Sequence, residues 1–338
     1  MVQRRYTSKL SCNLAGETGK PFFSLVDYRN NYFTSADPDK ILEFYDGFSN
    51  REQLIQWMTE RPKGVNTTYE VQGNKEIIVV IPTADYNGKY ARECRENIFK
   101  GMHLVFVESG GKEDFYFNYA HNVNVGTKKA LEYKPKWIVI SNDDMVEIDP
   151  PKILINNLGK LNPDNIDAVY TEESNYHSTN HILVRVSTRY YSLSKLLYTF
   201  FDHSKSNILL MMEKFRCRII TLRYGGLKNI IISLFLSKKL INYVLISSFS
   251  IFSGRFISIL SGQIFDETYI NGVEDWDLSL CLVKDRRSAI IPYQVGEQVG
   301  ATLGTELDRY LRDVSNVAYF NWKVNAGKIP IQNIDRHE

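Results

Sequence analysis

Glu76-Ile77-Ile78-Val79-Val80-Ile81-Pro82-Thr83 is a continuous β-branched run halted by a proline. Apolar residues fill both odd and even positions, so neither side of such a strand suits water. The run predicts a strand buried on both faces and ended at Pro82. Working outward, Leu104-Val105-Phe106-Val107 repeats the pattern and ends in Glu108-Ser109-Gly110-Gly111. Trp137-Ile138-Val139-Ile140 repeats it again and ends in Ser141-Asn142-Asp143-Asp144. Between them, Tyr90 to Phe99 and Phe115 to Tyr133 have helical character. Strand, helix, strand, helix, strand is the alternation of a parallel sheet in an α/β fold. Right-handed crossovers then bring all three strand ends to one edge, where open α/β sheets bind ligands.

Those strand ends carry Thr83-Ala84-Asp85, Glu108, and Asn142-Asp143-Asp144. Converging carboxylates repel one another, and a hard divalent cation such as Mg²⁺ or Mn²⁺ relieves the repulsion. The plainer alternative is a solvated acidic loop, with Asp143 capping the next helix. A second acidic cluster lies far downstream, in Gly272-Val273-Glu274-Asp275-Trp276-Asp277, ahead of Leu278, Leu280 and Leu282. It reads either as negative charge at a helix N-terminus or as a general base that takes a hydroxyl proton. Trp276 reads as a core residue or as a platform for a ring-shaped ligand.

Three segments together resemble family 2 glycosyltransferases. They are Val80-Ile81-Pro82-Thr83, then Ala120-His121-Asn122-Val123-Asn124-Val125-Gly126 with Ala130, then Ile140-Ser141-Asn142-Asp143-Asp144. Phe265-Asp266-Glu267-Thr268-Tyr269, leading into Gly272 to Leu280, extends the likeness. The resemblance spans about Lys75 to Met145 and Gly262 to Lys323. It implies the GT-A fold, with a mostly parallel central sheet flanked by helices. It also implies transfer of a sugar from a UDP- or GDP-sugar to an acceptor hydroxyl, metal-assisted by Mn²⁺ or Mg²⁺ and inverting. Thr83 and Glu108 match positions that contact base and ribose, with Asp85 beside them. Asn142, Asp143 and Asp144 match the acidic metal motif, Asp144 being the expected ligand and Asp143 lying near the ribose or metal. Asp275 matches the catalytic base, supported by Glu274. The family often has a histidine after the last core strand; here Glu297 or Gln298 stands in its place. The departure leaves open a non-catalytic sugar-nucleotide or glycan-binding module. A nucleotidyltransferase is a weaker alternative, because the loop after the first strand is poor in glycine and arginine.

The resemblance and the residue pattern together predict three parts. An N-terminal extension (1–74) carries a short helix at Asp39 to Tyr45 and a second capped near Asn50. A core domain follows (75–304), split into a nucleotide-sugar half (75–173) and an acceptor half (174–304). A C-terminal helix and tail close the chain (305–338), with Arg309, Arg312 and Lys323 as candidates for diphosphate contacts or as surface charges. The expected acceptor is a glycan, a lipid-linked molecule or a protein.

With 41 Lys and Arg against 39 Asp and Glu, the net charge is +2, which argues against a nucleic-acid binder. Twenty-one tyrosines suit the stacking of sugar rings, and equally a Tyr-rich proteome. Cys12, Cys94, Cys217 and Cys281 show no paired spacing, so neither a zinc knuckle nor a disulfide framework is predicted, and a cytoplasmic setting is expected. No apolar segment follows the basic N-terminus, so no signal peptide is predicted. Lys228 to Phe252 is the most apolar stretch, broken by Lys238 and Lys239. It is expected to form a pair of buried or half-buried helices. The alternative is that the basic and apolar insertion 204–260 rests peripherally on a membrane. His177 and His181 have zinc-like spacing but no third ligand.

Overall fold

The computed structural model describes residues 32, 37–109, 114, 116–172, 181–186, 219–223, 237–243, 248–282, 287–298 and 306–328. The chain begins with helices α1 (Pro38–Asp46) and α2 (Arg51–Glu60). Asp37 caps α1 by accepting from Asp39 N at 3.0 Å, and Asn50 caps α2 by accepting from Gln53 N at 2.9 Å. Strand β1 (Thr67–Val71) leads into β2 (Asn74–Thr83). Every residue of β2 from Ile77 to Thr83 is buried, so the strand runs on through Pro82. A short helix α3 (Lys89–Glu93) continues as a π-helical turn over Cys94–Ile98. Then come β3 (Met102–Glu108), α4 (Tyr119–Leu131), β4 (Trp137–Ser141) and β5 (Met145–Glu147). Helix α5 (Pro151–Gly159) precedes β6 (Ala168–Thr171). Three strands follow: β7 (His181–Val186), β8 (Ile219–Arg223) and β9 (Ser237–Tyr243). The chain then forms β10 (Phe249–Ser253), α6 (Gly254–Ile259), α7 (Glu274–Leu282), β11 (Ser288–Ile291), β12 (Val295–Glu297) and α8 (Glu306–Asn325).

Seven strands form the central sheet in the order β1-β3-β2-β4-β10-β6-β11. The β3/β2, β2/β4 and β6/β11 pairs are parallel. The β1/β3, β4/β10 and β10/β6 pairs are antiparallel. The sheet is therefore mixed, not mostly parallel as the sequence predicts. The cause is β10, a wholly buried strand that runs antiparallel to both of its neighbours, β4 and β6. The same strand corrects the reading of Lys228 to Phe252 as two helices. Its described residues belong to β9 and β10, because a short apolar run carries no periodicity that separates strand from helix. Among the described residues, no helix is long and apolar enough to cross a membrane.

Alternate residues of β2 serve two cores. Ile77, Val79 and Ile81 pack on the side of α3 and α5 with Cys94, Leu154 and Leu158. Ile78 and Val80 pack on the other side under α4 and α6 with Ala120, Val123 and Ile257. Gly126 lets α4 approach that face: a Cβ there would lie 2.3 Å from Val80 Cγ1. A third core joins α1 and α2 to α8 and to the segment before α7, through Phe44, Leu54, Val314, Phe320 and Ile270. Tyr45 Oη donates to Leu311 O at 2.6 Å within it.

Candidate functional site

The parallel register aligns the strand ends. Thr83 lies opposite Glu108, and Val80 opposite Ile140, so Asn142, Asp143 and Asp144 emerge on the same edge. Thr83 Oγ1 donates to Asp143 Oδ2 at 2.6 Å. Burial pushes the Asp143 carboxyl up, against the pull of that hydrogen bond. Glu108 Oε2 accepts from Tyr86 N at 2.7 Å, and Oε1 from Tyr69 Oη at 3.4 Å. Tyr86 is stacked on Tyr69 at 4.2 Å, with the Arg95 guanidinium 4.5 Å from its ring centre. Asp85 is exposed, and its Oδ1 accepts from Asn87 N at 2.9 Å. Its carboxylate closes a local turn and is not among the charges that perturb Asp143 or Asp144.

Beyond β4, the antiparallel pairing of β12 with β5 sets Glu297 opposite Met145. Gln298 N donates to Asp144 O at 2.7 Å, and Asn142 Nδ2 donates to Glu297 Oε1 at 2.8 Å. Two carboxylates from remote sequence are thereby held side by side. Asp144 is only 8% exposed. Burial first, then the charges of Glu297 and Asp143, push its carboxyl up to about 7. Burial raises Glu297 as well. The resemblance left Glu297 and Gln298 as alternatives for the family's histidine. Here Glu297 presents a side chain to this cluster, whereas Gln298 contributes its backbone.

The second cluster is delivered by α7, and α4 builds the approach to it. Asn118, the α4 N-cap, donates through Nδ2 to Glu267 O at 2.8 Å. Asn124 Nδ2 donates to Phe265 O at 2.8 Å and to Glu267 Oε1 at 3.0 Å, and Asn124 Oδ1 accepts from Phe265 N at 3.1 Å. His121 Nδ1 lies 3.0 Å from Glu267 Oε2, and Thr127 Oγ1 donates to Gly262 O at 2.6 Å. One polar row of the helix thus fixes residues 262–267. Asn271 Oδ1 then accepts from Tyr119 N at 2.7 Å. Asn271 (φ 53°) and the buried Val273 (φ 71°) both adopt left-handed backbone. For a β-branched residue that conformation is strained, and it immediately precedes Glu274 and Asp275. Glu274 is 3% exposed, and its Oε2 is buried without a hydrogen-bond partner among the described residues. Burial and the Asp275 charge push it up to about 8. Burial, with Asp313 adding to it, holds Asp275 at about 7.

Tyr119 connects the two clusters. Its hydroxyl is pushed well above its ordinary range by burial and by the charges of Glu274, Glu297, Asp275 and Asp144. All four carboxylates therefore lie within electrostatic reach of one side chain. Comparison with known protein families finds no family model that matches the chain, and comparison with characterised proteins finds no significant match.

The donor set around Asp144 is all oxygen, which suits a hard cation. Among the described residues no cage of three or more metal-ligating side chains is preformed. Asp144 and Glu297, with Asp143 behind them, fit an ion that takes its other ligands from substrate phosphates and water. Arg309 is exposed, and its charge favours the ionised forms of both Glu297 and Asp275. Arg312 and Lys323 are engaged elsewhere. Arg312 Nε donates to Tyr32 O at 2.6 Å, and the half-buried Lys323 sits between Asp266 and Asp277. Trp276 packs edge-on to Phe320 at 5.7 Å, a core contact. Sequence reasoning missed Tyr119, Asn271 and Val273. Tyr119 adjoins the Ala120 to Gly126 motif, but nothing in its own spacing marks it.

Proposed function

We propose that the chain is a GT-A-type glycosyltransferase that moves a sugar from a nucleoside-diphosphate donor to an acceptor hydroxyl. One observation carries the reading: the ends of β2, β3 and β4, with β12 beside them, bring Thr83, Glu108, Asp143, Asp144 and Glu297 to one edge, and Tyr119, whose N donates to Asn271 just ahead of Glu274 and Asp275, lies within reach of the charges of both acidic pairs. A diphosphate-binding side and a proton-accepting side thus flank one site at the ligand-binding edge of the sheet. Thr83, Glu108 and Asp143 line the start of that edge and serve as donor-binding residues. Asp144 and Glu297 would hold a divalent cation, which would supply positive charge against the departing nucleoside diphosphate.

Asp275 is the general base. A carboxyl poised near 7 is half ionised at neutral pH, where a base works best. It takes the proton of the acceptor hydroxyl as that oxygen bonds to the anomeric carbon. The bond from that carbon to the diphosphate oxygen breaks, and the nucleoside diphosphate leaves with the electron pair. Attack opposite the leaving group inverts the anomeric centre. Burial and the neighbouring Asp275 charge both disfavour ionisation of Glu274, so the base role falls to Asp275 and Glu274 supports it.

The test incubates the chain with a panel of UDP- and GDP-sugars and Mn²⁺ and measures nucleoside diphosphate release. Release is expected with at least one donor. Asp275→Asn is expected to abolish it while nucleotide binding persists. Normal turnover by that variant removes Asp275 as base. Pyrophosphate in place of nucleoside diphosphate converts the reading to nucleotidyl transfer.

A further inference from the structure

Among the described residues, four that are not glycine take a positive φ: Lys134, Ser261, Asn271 and Val273. Lys134 and Ser261 stand just past the ends of α4 and α6, where a left-handed residue commonly closes a helix. Asn271 is of a type whose short polar side chain tolerates that conformation. Neither reason covers Val273, which is β-branched and precedes a helix instead of ending one. Its neighbour Gly272 would take the conformation without steric cost, yet the described glycines of positive φ are Gly64, Gly101, Gly262 and Gly327.

Both flanks of Val273 are fixed. Upstream, Asn316 of α8 brackets Ile270, accepting from its N at 2.7 Å and donating to its O at 3.0 Å. Asn271 accepts from Tyr119 N at 2.7 Å and donates to Phe117 O at 3.3 Å. Downstream, Asp277 accepts from Tyr269 Oη at 3.2 Å and pairs with Lys323 of α8. The Val273 side chain itself is buried in the core that joins α1, α2 and α8. A strained backbone persists only where its surroundings over-determine it, and these contacts do so.

The backbone of Val273 also sets the first turn of α7. Its carbonyl accepts from Trp276 N at 3.0 Å and from Asp277 N at 3.4 Å, the bonds that open the helix. Valine has no side-chain oxygen to cap that turn. The two carboxyls instead meet backbone N–H groups, Glu274 that of Gly272 and Asp275 that of Trp276. With the upstream flank held, a change of φ at Val273 swings the start of α7, and Glu274 and Asp275 with it. We propose that Val273 is a positioning residue: the core grips its side chain, the grip holds the backbone left-handed, and that conformation fixes where Glu274 and Asp275 stand. The proposal rests on the reading of Asp275 as the general base of sugar transfer.

The experiment compares Val273→Gly, Val273→Ala and Val273→Thr with wild type in the full chain. Thermal melting is read together with steady-state kinetics on the UDP- or GDP-sugar that wild type turns over with Mn²⁺. Glycine and alanine both empty the side-chain site, but only glycine accepts a left-handed backbone without strain. Val273→Gly is therefore expected to melt a few degrees above Val273→Ala. The reverse order, which glycine gives at an ordinary helix or strand position, removes the strain and overturns the proposal. Without the grip, kcat is expected to fall about hundredfold in both variants, as it does for a displaced catalytic group, with the donor KM within about twofold. Val273→Thr keeps the branched shape but buries a hydroxyl, so it is expected to melt below wild type and to keep kcat within about threefold. Unchanged kcat in both truncations, or a kcat that merely follows Tm through all three variants, overturns the positioning role. If neither truncation folds, Val273→Thr decides alone: kcat retained in a less stable chain supports the role, and kcat lost with stability contradicts it. No turnover by wild type with any UDP- or GDP-sugar removes Asp275 as base and the positioning role with it. Turnover by wild type that Val273→Gly matches removes the positioning role alone.

Discussion

Asp275 stands in the first turn of α7, where the helix dipole favours its ionised form, yet burial holds its carboxyl at about 7. A base must be deprotonated to act, so kcat/KM is expected to rise with pH through about 7 and to level off above it. Below that range it should fall about tenfold per pH unit. A profile from pH 5 to pH 9 measures this, and a flat acid side down to pH 5 contradicts it. Glu274 makes a separate prediction about stability. Its folded pKa of about 8 exceeds its ordinary 4.5, so the folded chain binds the extra proton between those values. The stability tied to this group is full below about pH 4.5 and is lost as pH rises through about 8. The loss is on the order of a few kcal/mol. Glu274→Gln should therefore raise Tm over wild type at pH 9 and leave it nearly unchanged at pH 5. An equal Tm difference at both values counts against a buried, titrating Glu274. Both acids are visible in the sequence as a cluster at a helix start. Their environments are not, because burial and Asp313 come from tertiary packing.

Helix α4 shows what a motif is for. Ala120 to Gly126 enters the sequence reading only as a likeness. In the fold its polar row, Asn118, His121, Asn124 and Thr127, holds the segment from Gly262 to Glu267 that leads to α7. Its glycine has a steric duty: the Cβ of Gly126→Ala would lie 2.3 Å from Val80 Cγ1 in a fully buried β2. Overpacking of this kind costs about 1–3 kcal/mol. Gly126→Ala should lower Tm by several degrees with no change in residue charge, and an unaltered melt contradicts the close approach. The elements β2, β3, β4, α4 and α8 were legible because each is long or strongly patterned. β10 was not, since five buried residues fit a helix segment as well as a strand. β5 and β12 were not either, being three residues each. Yet that small pair brings Glu297 to Asp144.

At the scale of the molecule, Tyr119 lies where two of the cores meet. It lies against the core that joins α1, α2 and α8 and against the core under α4, and it feels carboxylates from β12, α7 and the β4 end. Sequence reasoning anticipated that the ends of β2, β3 and β4 meet at one edge, because parallel strands joined by helices imply it. It anticipated neither the mixed sheet nor the place of Tyr119 between the two acidic clusters. Tyrosine is common in this chain, and no spacing singles out position 119. The most direct measurement is a crystal structure of the chain grown with UDP or GDP and Mn²⁺. The account predicts a cation contacting Asp144, the diphosphate beside it, and the base at Thr83 and Glu108, with Asp275 facing the position of the anomeric carbon. Nucleotide bound away from this edge, or bound here with Asp275 turned from the diphosphate, contradicts it.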